Sequence, residues 1–413
     1  MRKLAGLVAI GCLAVAAPAW ATNGMRMIGF GAVQDSMGGV GAGLTLDSSA
    51  IVSNPAGLTD LGWRLDVAGG YFKPTVKYNA TGFVASQDAS LDSNRGGSPI
   101  PTVGYVHPIN EQLTTGVGVF AVSGMGVDYE TNLYGGPTLT SYMNVRLAPA
   151  VAYKIMEGLS VGLTANVMMA QMKYDVASGA GQVPHDTATA FGFGATLGVK
   201  YSPTKEVSIG AAYETKSFFQ DFKFDIPSHP IPGGGGTFPA GTDSLAFDQP
   251  QSATLGASFA PFEELVLGAD VQWINWSDTN GKNLPKYTND TSTTGAFPFN
   301  MNWSDQWVLK VGAQVTPMKQ LRIRAGYNYG KMPLDPNRAF ENIAFPAVSE
   351  HHITAGVGYD FSKSFTMNVA GVYALSAKIS GANGAAPPAG QGIPSYTTEM
   401  SQYEIELGIA YRF

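Results

Sequence analysis

The last residues of the chain, YEIELGIAYRF from Tyr403 to Phe413, decide the fold class. Apolar side chains stand at every second position, and the positions between them carry small or charged side chains such as Glu404 and Glu406. A period of two is that of a β-strand, and an apolar face opposite a small or polar one is typical of a strand in a transmembrane barrel.

The same alternation returns upstream, at 265–273, 307–315 and 321–329. Short turns and long polar or Gly/Pro-rich loops alternate between such runs, as in antiparallel up-and-down barrels with short periplasmic turns. No second set of strands is available to cover the apolar faces, so a closed cylinder is favoured over a soluble sandwich. We predict an all-β transmembrane barrel of about 14 antiparallel strands with both termini periplasmic. The short turns are expected at 107–113, 154–159, 202–207, 260–266, 316–321 and 360–365, and the long loops near 77–99, 125–141, 177–186, 225–244, 277–302, 333–348 and 379–397.

The first 21 residues read as a secretory signal peptide. Basic residues Arg2 and Lys3 precede an apolar run, which ends in a small-x-small site before Thr22. Cleavage near Ala21/Thr22 indicates export, and together with the transmembrane barrel it predicts a protein of the cell outer membrane of a Gram-negative bacterium. A lipoprotein signal around Cys12 is the alternative; with signal-peptide cleavage, the mature protein has no thiol.

Composition agrees with a membrane-spanning barrel. Charged residues are 14% of the 413 residues, and the formal net charge of −6 gives no reason to expect nucleic-acid binding. Beyond the signal peptide, no run reaches the roughly 20 apolar residues of a membrane helix. Aromatic residues gather at strand ends and predict two girdles at the membrane interfaces. They are Tyr71, Phe72, Tyr201, Tyr213, Trp273, Trp276, Trp303, Trp307, Tyr359 and Phe361.

A glycine-rich segment, TNGMRMIGFGAVQDSMGGVGAGLTLDSSAIVSNPAGLTDLG from Thr22 to Gly62, separates the signal peptide from the first strand. It cannot form a core of its own, because glycine contributes no side-chain burial and its backbone freedom is costly to fix. A barrel of about 14 strands leaves a lumen that side chains alone do not fill. We therefore expect residues 22–63 to form a hatch, or plug, in the lumen of a barrel made by residues 64–413.

The hatch segment and the C-terminal strand resemble the FadL/TodX (OMPP1) family of outer-membrane transporters of long-chain fatty acids and hydrocarbons. The resemblance implies a monomer of 14 strands that takes up hydrophobic small molecules passively, either long-chain fatty acids or aromatic or aliphatic hydrocarbons. It also implies that ligand is released when the N-terminus of the hatch moves. The motif elements that carry the resemblance are Asn23, Gly24, Gly29, Phe30, Gly31, Met37, Gly38, Gly39, Asp47, Asn54, Pro55, Ala56 and Gly57.

The resemblance further implies that ligand leaves sideways, where the third strand kinks inward. Lateral exit is physically reasonable, because an apolar molecule gains little by entering periplasmic water. In this chain the third strand is expected from Gln112 to Ser123 and runs into Ser123-Gly124-Met125-Gly126. These glycines could bend the strand or begin an external turn, and both interpretations stay open.

The external loops differ from those of the family's fatty-acid transporters. The third loop, 177–186, is short, and the fourth, 225–244, is rich in proline and glycine and lacks a helical pattern. The helical capture platform that the resemblance implies therefore has no counterpart here. The long segment 277–302 is the alternative capture site.

Candidate ligand contacts follow from the alternation and from the hatch. Inward basic residues could meet a carboxylate, and apolar hatch residues could touch an acyl chain or a ring. Alternatively, the basic residues pair with inward acids, and the hatch methionines pack against the wall. The basic candidates are Lys310, Arg322 and Arg324; the hatch candidates are Met25, Met27, Ile28 and Phe30; the acids are Asp66, Asp270, Glu404 and Glu406.

The expected partners are a hydrophobic small-molecule ligand, outer-membrane lipid and lipopolysaccharide. Tyr411 and Phe413 resemble the C-terminal signal read by the barrel assembly machinery. We predict no catalytic residue, metal site or cofactor, since no G-x-S-x-G motif is present and adjacent strand residues such as His351 and His352 point to opposite faces. A general diffusion porin and a loop-based adhesin are the alternative functions.

Overall fold

The alternating segments form a closed antiparallel barrel of 14 strands in the computed structural model of the chain. The ring closes where the last strand pairs with the first along its full length, from Arg64↔Arg412 to Thr81↔Ser395. The strand count and the closure predicted from the sequence are confirmed. The structure describes residues 22–81, 89–130, 138–178, 181–230, 236–281, 287–289, 301–339, 342–381 and 395–413.

The barrel strands are numbered in chain order. They are β1 Arg64–Thr81, β2 Ser98–Pro108, β3 Leu113–Tyr129, β4 Thr138–Met156, β5 Leu159–Ser178, β6 Gly181–Tyr201, β7 Val207–Glu214, β8 Ser252–Phe262, β9 Leu265–Ile274, β10 Gln306–Met318, β11 Leu321–Gly330, β12 His351–Asp360, β13 Phe365–Gly381 and β14 Ser395–Arg412.

Short elements lie before, between and above the barrel strands. The helices are α1 Ala32–Asp35 and α2 Ala50–Ser53, with single 3-10 turns at Pro55–Asp60, Trp276–Asp278 and Pro336–Arg338; the minor strands are Thr22–Asn23, Arg26–Met27, Ala89–Asp92, Phe218–Phe219, Phe222–Ile226, His229–Pro230, Thr237–Phe238, Gly241–Leu245 and Tyr287–Asn289. Within the described chain, none of the helices is both long and apolar enough to span a membrane.

The connections follow the predicted alternation of short and long, with one difference. The segment 177–186, expected as a loop, instead belongs to a β5–β6 hairpin that is paired as far as Ser178↔Gly181. Part of the fourth loop also forms β-structure, because Phe222–Ile226 pairs with Gly241–Leu245, which in turn pairs with Tyr287–Asn289. These described parts of the third and fourth loops are therefore extended chain.

The apolar faces of the strands point outward, as the alternation predicts. In β14, Ile405 and Leu407 are 58% and 49% exposed, whereas Glu404 and Glu406 are buried on the inner face. Six of the ten aromatic residues predicted to form girdles are exposed, namely Tyr71, Tyr201, Tyr213, Trp307, Tyr359 and Phe361, and Trp273 is half-buried. Their place at the membrane interface stays a prediction. The prediction is wrong for Phe72, Trp276 and Trp303, which are buried inside the barrel among other apolar side chains.

The N-terminal segment 22–62 is enclosed by the strands, and most of its residues are buried. Glycines stand on the inner face of the wall where this segment passes closest. A Cβ at Gly210 of β7 would collide with the carbonyl of Ala42, and one at Gly312 of β10 with that of Met37. The close approach of two backbones explains why these inward positions carry no side chain.

Candidate functional site

The hatch segment is fastened to several strands of the wall by hydrogen bonds. Asp270 of β9 accepts bonds from the backbone N–H groups of Gly41 and Ala42, at 2.8 and 3.0 Å. On the opposite side, Thr164 of β5 donates to the carbonyl of Ile51 at 2.6 Å. These bonds satisfy backbone groups that the segment, having little regular structure, leaves unpaired.

The Asn-Pro-Ala-Gly element is a structural junction within the hatch. The side-chain amide of Asn54 donates to the carbonyl of Ala42 at 2.6 Å and to that of Val199 in β6 at 3.1 Å. Its oxygen accepts a bond from the backbone of Ala56 at 3.2 Å, and Pro55 begins the 3-10 turn that follows. One buried side chain thus ties together two parts of the hatch and the wall.

Strand β3 loses its alternation of buried and exposed residues at the positions singled out in the sequence. The strand continues through Ser123, Gly124, Met125 and Gly126 to Tyr129, so these residues do not begin an external turn. The register of β3 against β4 shifts between Ala121 and Ser123. Every residue from 120 to 127 is buried, so both faces of the strand are covered there. In the first half of β3, buried residues alternate with more exposed ones.

Next to this part of β3 there is a seam, a stretch over which β2 and β3 are not paired. Their ladder stops at Thr102↔Phe120, although β2 continues to Ser98 in its pairing with β1. In the described chain no strand pairs with this free edge of β2, which contains Pro99 and Pro101. Proline has no N–H to donate and suits an unpaired edge.

The hatch covers this seam from inside. Arg26 pairs with Ser123, and the backbone N–H of Gly124 donates to the carbonyl of Met25 at 3.0 Å. The hatch therefore supplies the inner edge of β3 with the backbone partner that β2 does not provide. Moving the first hatch residues would uncover that edge.

The outer half of the lumen is filled by apolar side chains, many of them aromatic or methionine. Met25 of the hatch belongs to this cluster, and Gly24 abuts the ring of Trp276, which meets Trp303 edge-on with ring centroids 5.1 Å apart. Methionine adapts its shape readily, so such a packing can open around a guest. Members of the cluster include Tyr78, Met125, Tyr129, Tyr142, Met172, Phe222, Phe224, Phe247, Met301 and Phe345.

A buried ionic group lies at the seam. Arg26 of the hatch and Arg146 of β4 both form ion pairs with Glu214 at the end of β7. Two cations share one anion, and Nη1 of Arg26 together with Nε and Nη1 of Arg146 have no hydrogen-bond partner. The group therefore offers an excess positive charge and free N–H donors to a further anion.

The predicted ligand residues are placed in different parts of the barrel. Lys310 donates to the carbonyls of Ile28 and Gly39 in the hatch, at 3.1 and 3.3 Å. Arg322 pairs with Asp360, with N–O distances of 2.8 and 2.5 Å, and Arg324 bonds to neighbouring wall amides.

The apolar hatch candidates belong to two clusters. Met25 lies in the outer-lumen cluster, and Met27 and Ile28 are buried beside the seam, where the half-buried ring of Phe30 packs against them. At the other end of the chain, Phe413 stacks on Trp63 with centroids 4.4 Å apart and meets Tyr411 edge-on.

Sequence reasoning missed Arg26, Arg146 and Glu214. A signal was available, since Arg146 and Glu214 are charges at inward positions of otherwise apolar or small-residue strands. What the pattern could not supply is their convergence, because the three residues come from the hatch, β4 and β7.

A closed barrel with an apolar outer surface and an internal N-terminal segment defines a transport barrel of the outer membrane. The family model described as "Outer membrane protein transport protein (OMPP1/FadL/TodX)" matches residues 15–413. The chain belongs to this family, whose members are transport channels of the outer membrane of Gram-negative bacteria.

The curated relatives and the solved structures are distant but cover most of the chain. Outer membrane protein P1 of Haemophilus influenzae is 21% identical over 87% of this chain and 88% of its own length. The long-chain fatty acid transport protein of Escherichia coli O6:H1 is 22% identical over 82% and 84%. A FadL homologue from Pseudomonas aeruginosa superposes with a TM-score of 0.78 at 16% identity, over 94% and 100%.

The toluene transporter TodX of P. putida superposes with a TM-score of 0.75 at 20% identity, over 94% of this chain and 99% of its own. At such identities, the likeness to solved structures concerns the fold.

Proposed function

We propose that this protein takes up hydrophobic small molecules by passive diffusion and releases them sideways into the outer membrane. The observation that carries the proposal is the seam between β2 and β3, which is covered from inside by the first hatch residues. A ligand that displaces Met25 and Arg26 from β3 would open a path from the apolar outer lumen to the lipid. Diffusion down a concentration gradient needs no energy source, and an apolar path spares the ligand the unfavourable entry into bulk water.

The proposal assigns a part to each predicted segment. Residues 1–21 are the signal peptide, removed near Ala21/Thr22, residues 22–63 are the hatch, and residues 64–413 are the barrel. Tyr411 and Phe413 present the chain to the barrel assembly machinery, and the barrel works as a monomer among outer-membrane lipid and lipopolysaccharide. Capture begins at a cleft of about 600 Å³ lined by Trp303, Pro333 and Leu334 at the outer end.

The preferred ligand is a long-chain monocarboxylate, such as a fatty acid. An acyl chain matches the apolar outer lumen, and a carboxylate matches the unpartnered N–H groups of Arg26 and Arg146 beside the seam. An uncharged aromatic hydrocarbon is the second candidate, favoured by the many aromatic rings of that lumen. A ligand role for Lys310, Arg322 and Arg324 stays a prediction.

Binding measurements on the detergent-purified protein separate the two ligand classes. Arg146→Gln should weaken oleate binding at least about tenfold, since a hydrogen bond to a charged group contributes about 1.5–3 kcal/mol, and should leave binding of hexadecane or toluene unchanged. Arg322→Gln at the far end of the lumen is the matched control. Equal loss for oleate and hydrocarbon, or loss only in Arg322→Gln, would contradict the assignment of the headgroup site.

The exit can be tested by closing the seam. Pro101→Cys and Ala121→Cys, joined by a flexible bifunctional thiol reagent, should block uptake of labelled oleate into cells without lowering its binding. The mature chain has no other cysteine, so the reagent acts only there. Reduction of a cleavable reagent should restore uptake. Unimpaired uptake with the cross-link in place would exclude exit through this seam.

The hatch can be tested in planar bilayers. The full-length barrel should show little stable conductance, whereas deletion of residues 22–40 should produce an open channel. Large steady currents through the full-length protein would favour the diffusion-porin alternative.

A further inference from the structure

Three carboxylates meet where the hatch contacts the last strand. Asp35 ends α1, and Glu404 and Glu406 are neighbours on the inner face of β14. All three side chains are buried, with relative exposures of 0%, 1% and 1%. One oxygen from each can be chosen so that all lie within 4.8 Å of one another.

Within the described chain, no side-chain donor outside the cluster bonds to it: the six carboxylate oxygens have no hydrogen-bond partner there, and the three residues form no ion pair. The charge of Lys310 acts on Asp35, but its ammonium group is engaged with the carbonyls of Ile28 and Gly39. Asp35 is thus a fully buried, unpartnered side chain directed at the pair of glutamates.

Three buried carboxylates cannot remain ionised side by side without a counter-charge, because burial removes the solvation of each and their charges repel. Elsewhere in the lumen, buried acids are compensated, as Glu214 is by two arginines and Asp270 by backbone N–H groups. The cluster of Asp35, Glu404 and Glu406 is therefore an exception that calls for a ligand or for shared protons.

We propose that Asp35, Glu404 and Glu406 form a binding site for one divalent cation, with Ca²⁺ the preferred ion. Calcium takes six to eight oxygen ligands at about 2.3–2.6 Å, so oxygens on opposite sides of it stand up to about 5 Å apart. The separation of at most 4.8 Å between the carboxylate oxygens agrees with that geometry. Three carboxylates supply up to six oxygens, whereas Mg²⁺ demands stricter octahedral geometry and retains more water.

The ion would connect the hatch to the barrel wall. Asp35 belongs to α1, which packs on β12, β13 and β14, and the two glutamates belong to the strand that closes the ring. A shared cation would hold α1 against this wall while the first hatch residues at the seam stay able to move. The site does not depend on which hydrophobic ligand is transported.

The full mature protein in detergent, stripped with EDTA and dialysed, provides the test. Isothermal titration with CaCl₂ should show one site per chain. Glu404→Gln and Asp35→Asn, both of similar shape to the original residue, should each weaken binding at least about tenfold, the loss typical of removing even an outer partner of a metal site. Glu399→Gln, on the same strand but outside the cluster, is the matched control and should bind as the unmodified protein does.

Hydrogen exchange gives a second readout of the same site. Ca²⁺ should slow amide exchange of residues 32–39 in the unmodified protein and in Glu399→Gln, but not in Glu404→Gln. Folding of each variant is verified by the difference in gel migration between unheated and heated samples. Absence of stoichiometric binding by the unmodified protein, or equal binding by Glu404→Gln and Glu399→Gln, would overturn the proposal and leave proton sharing as the explanation of the cluster.

Discussion

Replacing Asn54 by alanine should loosen the hatch without destroying the barrel. The substitution removes three hydrogen bonds, to the carbonyls of Ala42 and Val199 and from the N–H of Ala56. Each is worth about 1 kcal/mol net, so the hatch should lose about 3 kcal/mol of local stability, which corresponds to about a 100-fold larger equilibrium constant for local opening. The barrel ladders do not involve this side chain and should keep their stability.

Hydrogen exchange of peptides covering 42–57, compared with peptides from β13 and β14, measures this difference directly. Ser53→Ala is the matched control, because its hydroxyl makes a single bond to the carbonyl of Ser49 at 3.0 Å and its loss should cost about 1 kcal/mol. If Asn54→Ala and Ser53→Ala exchange alike, Asn54 is not the junction described above. If β13 and β14 exchange faster as well, the hatch and barrel do not open independently.

Three further predictions concern the wall, the cluster and the C-terminus. Gly210→Leu should expel or displace the hatch and raise ion leakage in planar bilayers, whereas Gly69→Leu, which faces open space, should not; equal leakage would show that Gly210 does not seat the hatch. Burial is the main cause that raises the pKa of Asp35 from 3.8 to about 7. Because this folded-state pKa is raised, the contribution of Asp35 to hatch stability is full below pH 3.8 and is lost as the pH rises through about 7. Exchange at 32–39 in EDTA should therefore accelerate over that range, and Ca²⁺ should suppress the acceleration; a pH-independent protection would contradict this. Deleting Phe413 should lower the amount of assembled barrel in outer-membrane fractions several-fold with little change in the unfolding midpoint of the assembled fraction, and normal assembly would refute its role as a signal.

The barrel could be predicted from the sequence because lipid imposes a local rule. Each strand must present apolar side chains to the hydrocarbon at every second residue, so Ile405 and Leu407 reveal their exposure within a few positions. The rule fails where the lumen is as apolar as the membrane, because an apolar residue then fits on either face of the wall. Trp276 and Trp303 look like interface aromatics in the sequence and instead lie in the lumen, because the outer lumen is as apolar as the membrane boundary.

The candidate site was predictable only in part. The glycines and Asn54 of the hatch are marked by their order along the chain. For Ser123 to Gly126 the sequence left a bend and an external turn equally open, and the continuation of β3 through them excludes the turn. The free edge of β2 could not be predicted from the sequence. Whether an edge is unpaired depends on where the neighbouring strand β3 and the hatch lie, and the residues of β2 alone do not show this.

The periodicity of the chain was enough to predict the membrane-spanning barrel and its strand number, because lipid requires an apolar side chain at every second position of each strand. The composition of residues 22–62 indicated only that this segment needs an enclosure. Which charges meet depends on how the strands close: Arg26 and Arg146 lie around Glu214, and Asp35 lies beside the carboxylates of β14. Closing a cylinder brings inward side chains from distant strands into one lumen, so the surroundings of each charge are set by residues across the barrel and not by those along the strand.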